Sequence, residues 1–377
     1  MADLHYYEGV LPLLRTFLSI LFMNDEYLFL FAQWGVFTAE QCRVILNKFG
    51  SFKTAWKGLS ADEIHRMNIR CEKSSRVLEI RERISFEQMM EMVRNLEVKI
   101  FYVDDEGYPE ILKNIGSPPP FLFVRGKLPD FHKAIAVVGT RGNTDYGENV
   151  TKRFTSDLAR HGFVIVSGLA MGIDSIAHRT ALELNGITVA VLGSGVDVIT
   201  PFSNHRLAQE IIQSDGAVIS AYPLGTPARK HHFPERNAII SGLCQGVLVT
   251  EGGCHSGALH TAKAAHEQGR EVFAVPIDIN KYALSGTNKY IREGKAKLVE
   301  NVEHILEELN LEEKLMCQPL VLTHDERTVM EKLAIGQKSM DDLVYETEFD
   351  IPKLSEIVLS LQFKNAIVRQ EYGYVIA

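Results

Sequence analysis

Glycine recurs in this chain where a loop that holds an anion would need it. Gly139-Thr140-Arg141-Gly142 follows one apolar run, Ser167-Gly168-Leu169-Ala170-Met171-Gly172 a second, and Gly193-Ser194-Gly195 a third. Glu251-Gly252-Gly253-Cys254-His255-Ser256-Gly257 follows a fourth. Without a Cβ, backbone N–H groups can approach a bound oxygen closely, and a helix starting just afterwards adds donors and a favourable dipole. Arg141 supplies a permanent charge with two parallel donors, the geometry that fits a phosphate. Phe233-Pro234-Glu235-Arg236-Asn237 opens a further helix. There Phe233 can stack on a base, Arg236 can hold phosphate, and Asn237 can bond a base edge or cap the helix. Ser256, Gly257 and Thr261 offer hydroxyls and N–H donors at the start of another helix. The chemistry implied is capture of a phosphate-bearing ligand.

Spacing narrows the ligand. Neither Gly139-Thr140-Arg141-Gly142 nor Gly193-Ser194-Gly195-Val196-Asp197-Val198 is G-x-G-x-x-G, and no G-x-x-x-x-G-K-[ST] occurs, so dinucleotide binding and P-loop hydrolysis are unsupported. Asp174 and His178 lie four apart on one helix face but lack a nucleophile, and read as an N-terminal helix charge and a packing histidine. His231, His232, Cys254, His255 and His260 form no tight metal-ligand pair, so neither a metal nor a cofactor is expected.

The elements that must position these loops follow from periodicity. Ile135–Gly139, Phe163–Ser167, Thr188–Gly193, Ala217–Ser220, Val247–Thr250 and Glu271–Val275 are short, mostly uninterrupted apolar runs, as in strands buried on both faces. Helices are expected between them at Tyr146–Arg160, Ile173–Leu184, His205–Ser214, Asn237–Cys244 and Gly257–Gln268. Strand and helix in alternation predict an α/β fold, a Rossmann-like parallel sheet with its glycine loops gathered on the carboxyl edge. Residues 1–100 read as helical, including one long helix over Ser75–Val98; Val10–Phe22 reads as helix and not as a signal peptide. Residues 101–133, with Pro109 and Pro118-Pro119-Pro120, read as an extended connector. The sheet unit then spans 134–310 and an acidic linker 311–319. Residues 320–377 read as three helices and a hairpin, the order of a winged helix-turn-helix.

Length and charge are consistent with this division. The 377 residues suit several domains, and five scattered cysteines predict a reducing, cytoplasmic setting. No uncharged run reaches membrane-spanning length. The net charge of −8 argues against coating nucleic acid by bulk charge. By region, however, residues 131–300 hold 17 basic and 15 acidic side chains, net +2, whereas residues 320–377 hold 6 and 10, net −4. The third helix of the tail, with Lys353 and Lys364 against Glu356, is too poor in cations for duplex binding, and contact with protein is the expected role.

Taken in order, Val138–Arg141, Val166–His178, Val191–Gly195, Phe233–Asn237, Ser256-Gly257 with Thr261-Ala262, and Gly269–Pro276 resemble the DprA/Smf family (DNA processing protein A). Tyr108-Pro109 and Pro118–Gly126 resemble its connector. The resemblance implies an all-α SAM-like N-terminal domain, an extended Rossmann-like core and a C-terminal winged helix. It also implies a homodimeric, non-enzymatic protein that binds single-stranded DNA and loads the RecA recombinase during natural transformation. By that resemblance Gly139, Thr140, Arg141, Ser167, Gly168, Met171, Gly193, Phe233, Arg236, Asn237, Ser256 and Gly257 line the DNA site. Met171 stands where many members carry a basic residue, and Ala238 where arginine is frequent. The alternative is a nucleotide N-glycosidase or phosphoribohydrolase of the lysine-decarboxylase-like group. Its P-G-G-x-G-T-x-x-E signature is echoed by Glu251-Gly252-Gly253 and Gly257, without a glutamate at the catalytic position.

Overall fold

The computed structural model describes residues 26–67, 77, 79–82, 85–254, 256–310, 322–347, 349–364, 366–370 and 373–376. The chain divides into two compact units, Met1–Lys314 and Leu315–Ala377. Val10–Phe22 and the linker over 311–319 lie outside the described residues. Among those described, no helix is long and apolar enough to cross a membrane.

The first unit is a mixed α/β fold around a nine-stranded sheet, ordered β1-β2-β6-β5-β4-β3-β7-β8-β9. The strands are β1 (Lys99–Tyr102), β2 (Phe121–Gly126), β3 (Ala134–Gly139), β4 (Val164–Ser167), β5 (Thr188–Leu192), β6 (Ala217–Ser220), β7 (Gly246–Glu251), β8 (Glu271–Ala274) and β9 (Lys297–Leu298). From β6 to β9 every pairing is parallel. Burial explains the uninterrupted apolar runs. On β3, Ile135 and Val137 pack with Phe154, Leu158 and Ile173 on one face. Ala134, Ala136 and Val138 pack with Ile239, Leu243, Leu259 and Ala262 on the other. Successive side chains point to opposite faces, and both faces are covered by helices.

Three expectations need correction. Residues 101–133 are no simple connector: β2 pairs antiparallel with both β1 and β6, so this stretch extends the sheet. The triple proline forms the approach to β2, and Tyr108 donates its hydroxyl to Pro119 O at 2.8 Å. The long helix over Ser75–Val98 is broken at Ser85, whose extended backbone and side-chain oxygen, accepting from Gln88 N, start a new helix Phe86–Asn95. Asn237–Cys244 is part of a helix that begins earlier, at His232–Gly242, with Pro234 in the first turn, where its missing N–H costs nothing.

Ahead of the sheet, helices cover 26–32, Ala39–Phe49, Phe52–Gly58 and Ala61–Arg66. Thr38 and Gln41 form a capping box, and Gly50 closes that helix at φ 77°. Phe31 and Phe52 pack on Phe121, and Phe52 on Tyr102, so this helical region shares its core with β1 and β2.

The second unit has its own core of Val329, Leu333, Leu343, Leu354, Leu361 and Ile367. Its elements are helices His324–Leu333, Met340–Thr347 and Ile351–Phe363, and an antiparallel pair β10 (Ile367–Gln370) and β11 (Gly373–Ile376). Buried Glu326 binds them together, accepting from Lys364 Nζ at 2.6 and 2.7 Å, Ser360 Oγ at 2.7 Å and Thr323 N at 2.7 Å. The Lys364 ammonium, with Ser360 and the Thr323 amide, holds its carboxyl down from the ordinary 4.5 to about 2. A depressed folded value means stabilisation that is complete above pH 4.5 and lost as pH falls toward 2. Protection factors of amides in 324–363, taken against the intrinsic exchange rate at each pH, should therefore fall across that interval in the wild type. Glu326→Gln should show fast exchange already at neutral pH and a flattened acid response.

Candidate functional site

The strand order reverses between β3 and β7. The chain steps from β3 outward to β6, then returns to lay β7 on the other side of β3. Crevices outside the carboxyl ends of strands at such a reversal are where open α/β sheets take ligands. A cavity of about 660 Å³ opens there, lined by Gly139, Thr140 and Arg141 after β3 and by Gly253, Cys254, Ser256 and Gly257 after β7. Phe233, Arg236 and Asn237, from the helix His232–Gly242, line it too. A smaller cavity of about 90 Å³ adjoins it, sharing Arg141, Ala170, Phe233 and Arg236 and adding Gly168, Met171 and Gly193.

The backbone is crossed tightly at this point. Thr140 N donates to Glu251 O at 2.8 Å, and Ile173 N to Thr140 O at 3.2 Å. A Cβ on Gly139 would lie 2.4 Å from Ile173 Cγ1. Gly172, at φ 78°, would set one 2.4 Å from Thr140 O. Glu251, fully buried, accepts from Thr144 N at 2.9 Å and Thr144 Oγ1 at 2.7 Å. A strand-end carboxylate thus fixes the start of the helix Asp145–Arg160.

Arg141 is exposed, and its guanidinium stands 5.4 Å from the centre of the half-buried Phe233 ring. Cation and aromatic face are presented together, which suits a phosphate with its base. Ser256 caps the helix Gly257–Glu267, accepting from Ala258 N at 3.3 Å, and Asn237 Nδ2 donates to Gly257 O at 3.3 Å. Met171 is 53% exposed on the rim.

Two residues expected to meet a ligand do other work. Ser167 is fully buried and donates to Val137 O at 2.7 Å, fastening β4 to β3; it lines neither cavity. Arg236 is only 5% exposed. Its Nη1 donates to the carbonyls of Gly168 and, at 2.6 Å, Val191, while Nε donates to Asn237 Oδ1 at 3.2 Å. A phosphate at Nη1 or Nε would compete with acceptors those atoms already satisfy. Gly168 is glycine because a Cβ there would sit 2.4 Å from Arg236 Nη1.

Sequence reasoning missed the buried carboxylate that shares the Gly168 loop with this arginine. Asp174 is buried and accepts from Gly168 N at 3.1 Å and Ala170 N at 3.4 Å. Burial pushes its carboxyl up, opposed by the Arg236 charge and those amides. Asp174 and His178 make no dyad: His178 Nδ1 bonds Thr188 Oγ1 at 2.7 Å, and burial pushes its imidazole down to about 3. His232 Nδ1 donates to Gly193 O at 2.9 Å and its ring stacks on Tyr222, so it serves the loop after β5. His255 lies outside the described residues; among those described, no group of three His, Cys, Asp or Glu is placed to hold a metal.

Fold and site together define a doubly wound α/β protein with a glycine-lined, arginine-bearing crevice at its switch point. The chain belongs to the DNA recombination-mediator protein A family, whose family model matches residues 99–310. It is 46% identical over 207 residues to protein Smf of Escherichia coli, a match covering 55% of each chain, so it spans about half the length of that relative. It is similar to the structure of DNA processing protein A from Streptococcus pneumoniae, with 34% identity and a TM-score of 0.62 over 75% of this chain and 97% of that one. The Helicobacter pylori protein, described for its single-stranded DNA binding mode, matches at 28% identity and TM-score 0.52, over 58% of this chain and 98% of that one.

Proposed function

We propose that this chain is a non-enzymatic recombination mediator that binds single-stranded DNA in the crevice at the β3–β7 switch. The observation that carries the reading is the exposed Arg141 guanidinium over the Phe233 ring, in one cavity with the start of the helix at Gly257. A single strand offers the unpaired bases and flexible phosphates such a narrow site accepts, whereas a duplex buries its bases. The H. pylori relative's single-strand binding supports the same ligand class. The reading extends to protecting incoming strands and loading RecA as a cytoplasmic homodimer during natural transformation, roles that family membership supports. The DNA contacts are assigned to Gly139, Thr140, Arg141, Gly168, Met171, Gly193, Phe233, Asn237, Ser256 and Gly257.

By the same reading the helices before β1 form the SAM-like domain, and the second unit, with its three helices and hairpin, a winged helix. That unit exposes Tyr345, Ile351 and Leu359 and carries net −4 over 320–377, which suits protein contact better than duplex DNA. Nucleotide cleavage is disfavoured because the carboxylates at the crevice, Asp174 and Glu251, are buried and committed to backbone and hydroxyl partners.

A gel shift at one fixed salt concentration, comparing a labelled strand with its duplex, tests the proposal. Binding of the single strand at least tenfold tighter is expected, roughly 1.4 kcal/mol. Equal affinity for the two forms would sink it, and release of free base from nucleoside monophosphates would put the enzymatic reading in its place.

A further inference from the structure

We infer that Phe202 is a second base-stacking platform, placed where a single strand leaves the crevice past Met171. The inference rests on the single-strand reading above and extends the strand's path. The smaller cavity is closed by Thr200 and Pro201 as well as by Met171 and Arg141. The next residue, Phe202, opens the short helix Phe202–Asn204 and is 84% exposed. Among the described residues, its ring meets one other, His205, tilted at 5.9 Å between centres.

Its position is nevertheless held firmly. Asn204, buried two residues later, donates to Leu169 O at 2.8 Å and to Ser175 Oγ at 2.9 Å. Ser175 Oγ in turn donates to Ala170 O. The turn that carries Phe202 is thereby latched to the loop that carries Met171. Met171 lines the smaller cavity, and the exposed Phe202 ring follows directly on its lining residues Thr200 and Pro201, in a turn held by buried hydrogen bonds. An aromatic face stacks on any base whatever its identity.

Fluorescence anisotropy with a labelled thymidine trinucleotide and a labelled dodecanucleotide provides the test. Phe202→Ala should weaken the longer strand about fivefold or more and leave the short one, contained in the crevice, unchanged. A stacking contact carries no charge, so the salt dependence should stay that of the wild type. Phe202→Trp gives a second readout, because the two native tryptophans, Trp34 and Trp56, are buried among the helices before β1. Emission of the introduced tryptophan should be quenched by the dodecanucleotide and not by the trinucleotide. If Phe202→Ala binds the longer strand like wild type, or saturation leaves the introduced tryptophan unquenched, Phe202 is not on the path and the inference fails while the crevice stands. Wild-type protein that binds neither oligonucleotide overturns the single-strand reading itself, and this inference with it.

Discussion

Arg141→Ala should weaken single-strand binding by about thirtyfold, near 2 kcal/mol, the scale of a charge-assisted hydrogen bond. Its side chain is exposed and touches the fold chiefly through the Phe233 ring, so melting temperature should not change measurably. Two further features separate a phosphate contact from a merely local one. The slope of log affinity against log salt should become shallower by close to one unit's worth of released counterion, about 0.7 for a single strand. Arg141→Lys should restore the slope but only part of the affinity, since a lysine keeps the charge and loses both the planar fork and the stacking on Phe233. Anisotropy titrations at several salt concentrations give all three quantities. An unchanged slope in Arg141→Ala would show that this residue meets no phosphate.

Arg236→Ala should act mainly on the fold. Its guanidinium satisfies the carbonyls of Gly168 and Val191, at the ends of β4 and β5, and offsets the buried charge of Asp174. Removing the guanidinium leaves two buried carbonyls without their donor, at a cost of about 1–3 kcal/mol for each group. A correspondingly lower urea midpoint of the first unit is expected, with loss of DNA binding following the loss of structure. Adding Asp174→Asn should recover part of the stability, because the orphaned charge is then gone; in a double-mutant cycle the two changes should be strongly non-additive. A variant as stable as wild type that nevertheless loses DNA would return Arg236 to the role of phosphate ligand.

These two arginines show where reading the sequence stops. Arg141 follows a glycine-rich strand end and Arg236 stands near a helix start, and the two look alike as phosphate ligands. Only the tertiary fold separates Arg141, directed to solvent, from Arg236, turned inward onto carbonyls. Ser167 is the same case for a hydroxyl, its partner Val137 lying thirty residues away. The six runs from Ile135 to Val275 were legible because burial on both faces leaves continuous apolar stretches. β1 and β2 were not, because Pro118-Pro119-Pro120 leads into β2, and β6, the partner of β2, lies far along the chain. The break at Ser85 was written in the sequence: Ser85-Phe86-Glu87-Gln88 has the spacing of a helix start, concealed by amphipathic residues on both sides. Asn204 carried no signal at all, since its worth depends on the carbonyl of Leu169 being within reach.

The bond between Glu251 and Thr144 spans 107 residues, and the crevice is built from both ends of that interval. A site divided this way has consequences for synthesis. While the ribosome has delivered β3 to β6 and their helices, the Arg141 loop lacks the strand that seats Thr140 and the helix that carries Ser256. Closing so long a loop costs chain entropy that is recovered only when β7 slots in beside β3. Nascent or truncated chains ending before about residue 270 should therefore be unable to capture DNA, and competence to bind should appear in one cooperative step on completion of the sheet. The switch-point architecture makes ligand binding a report on finished folding.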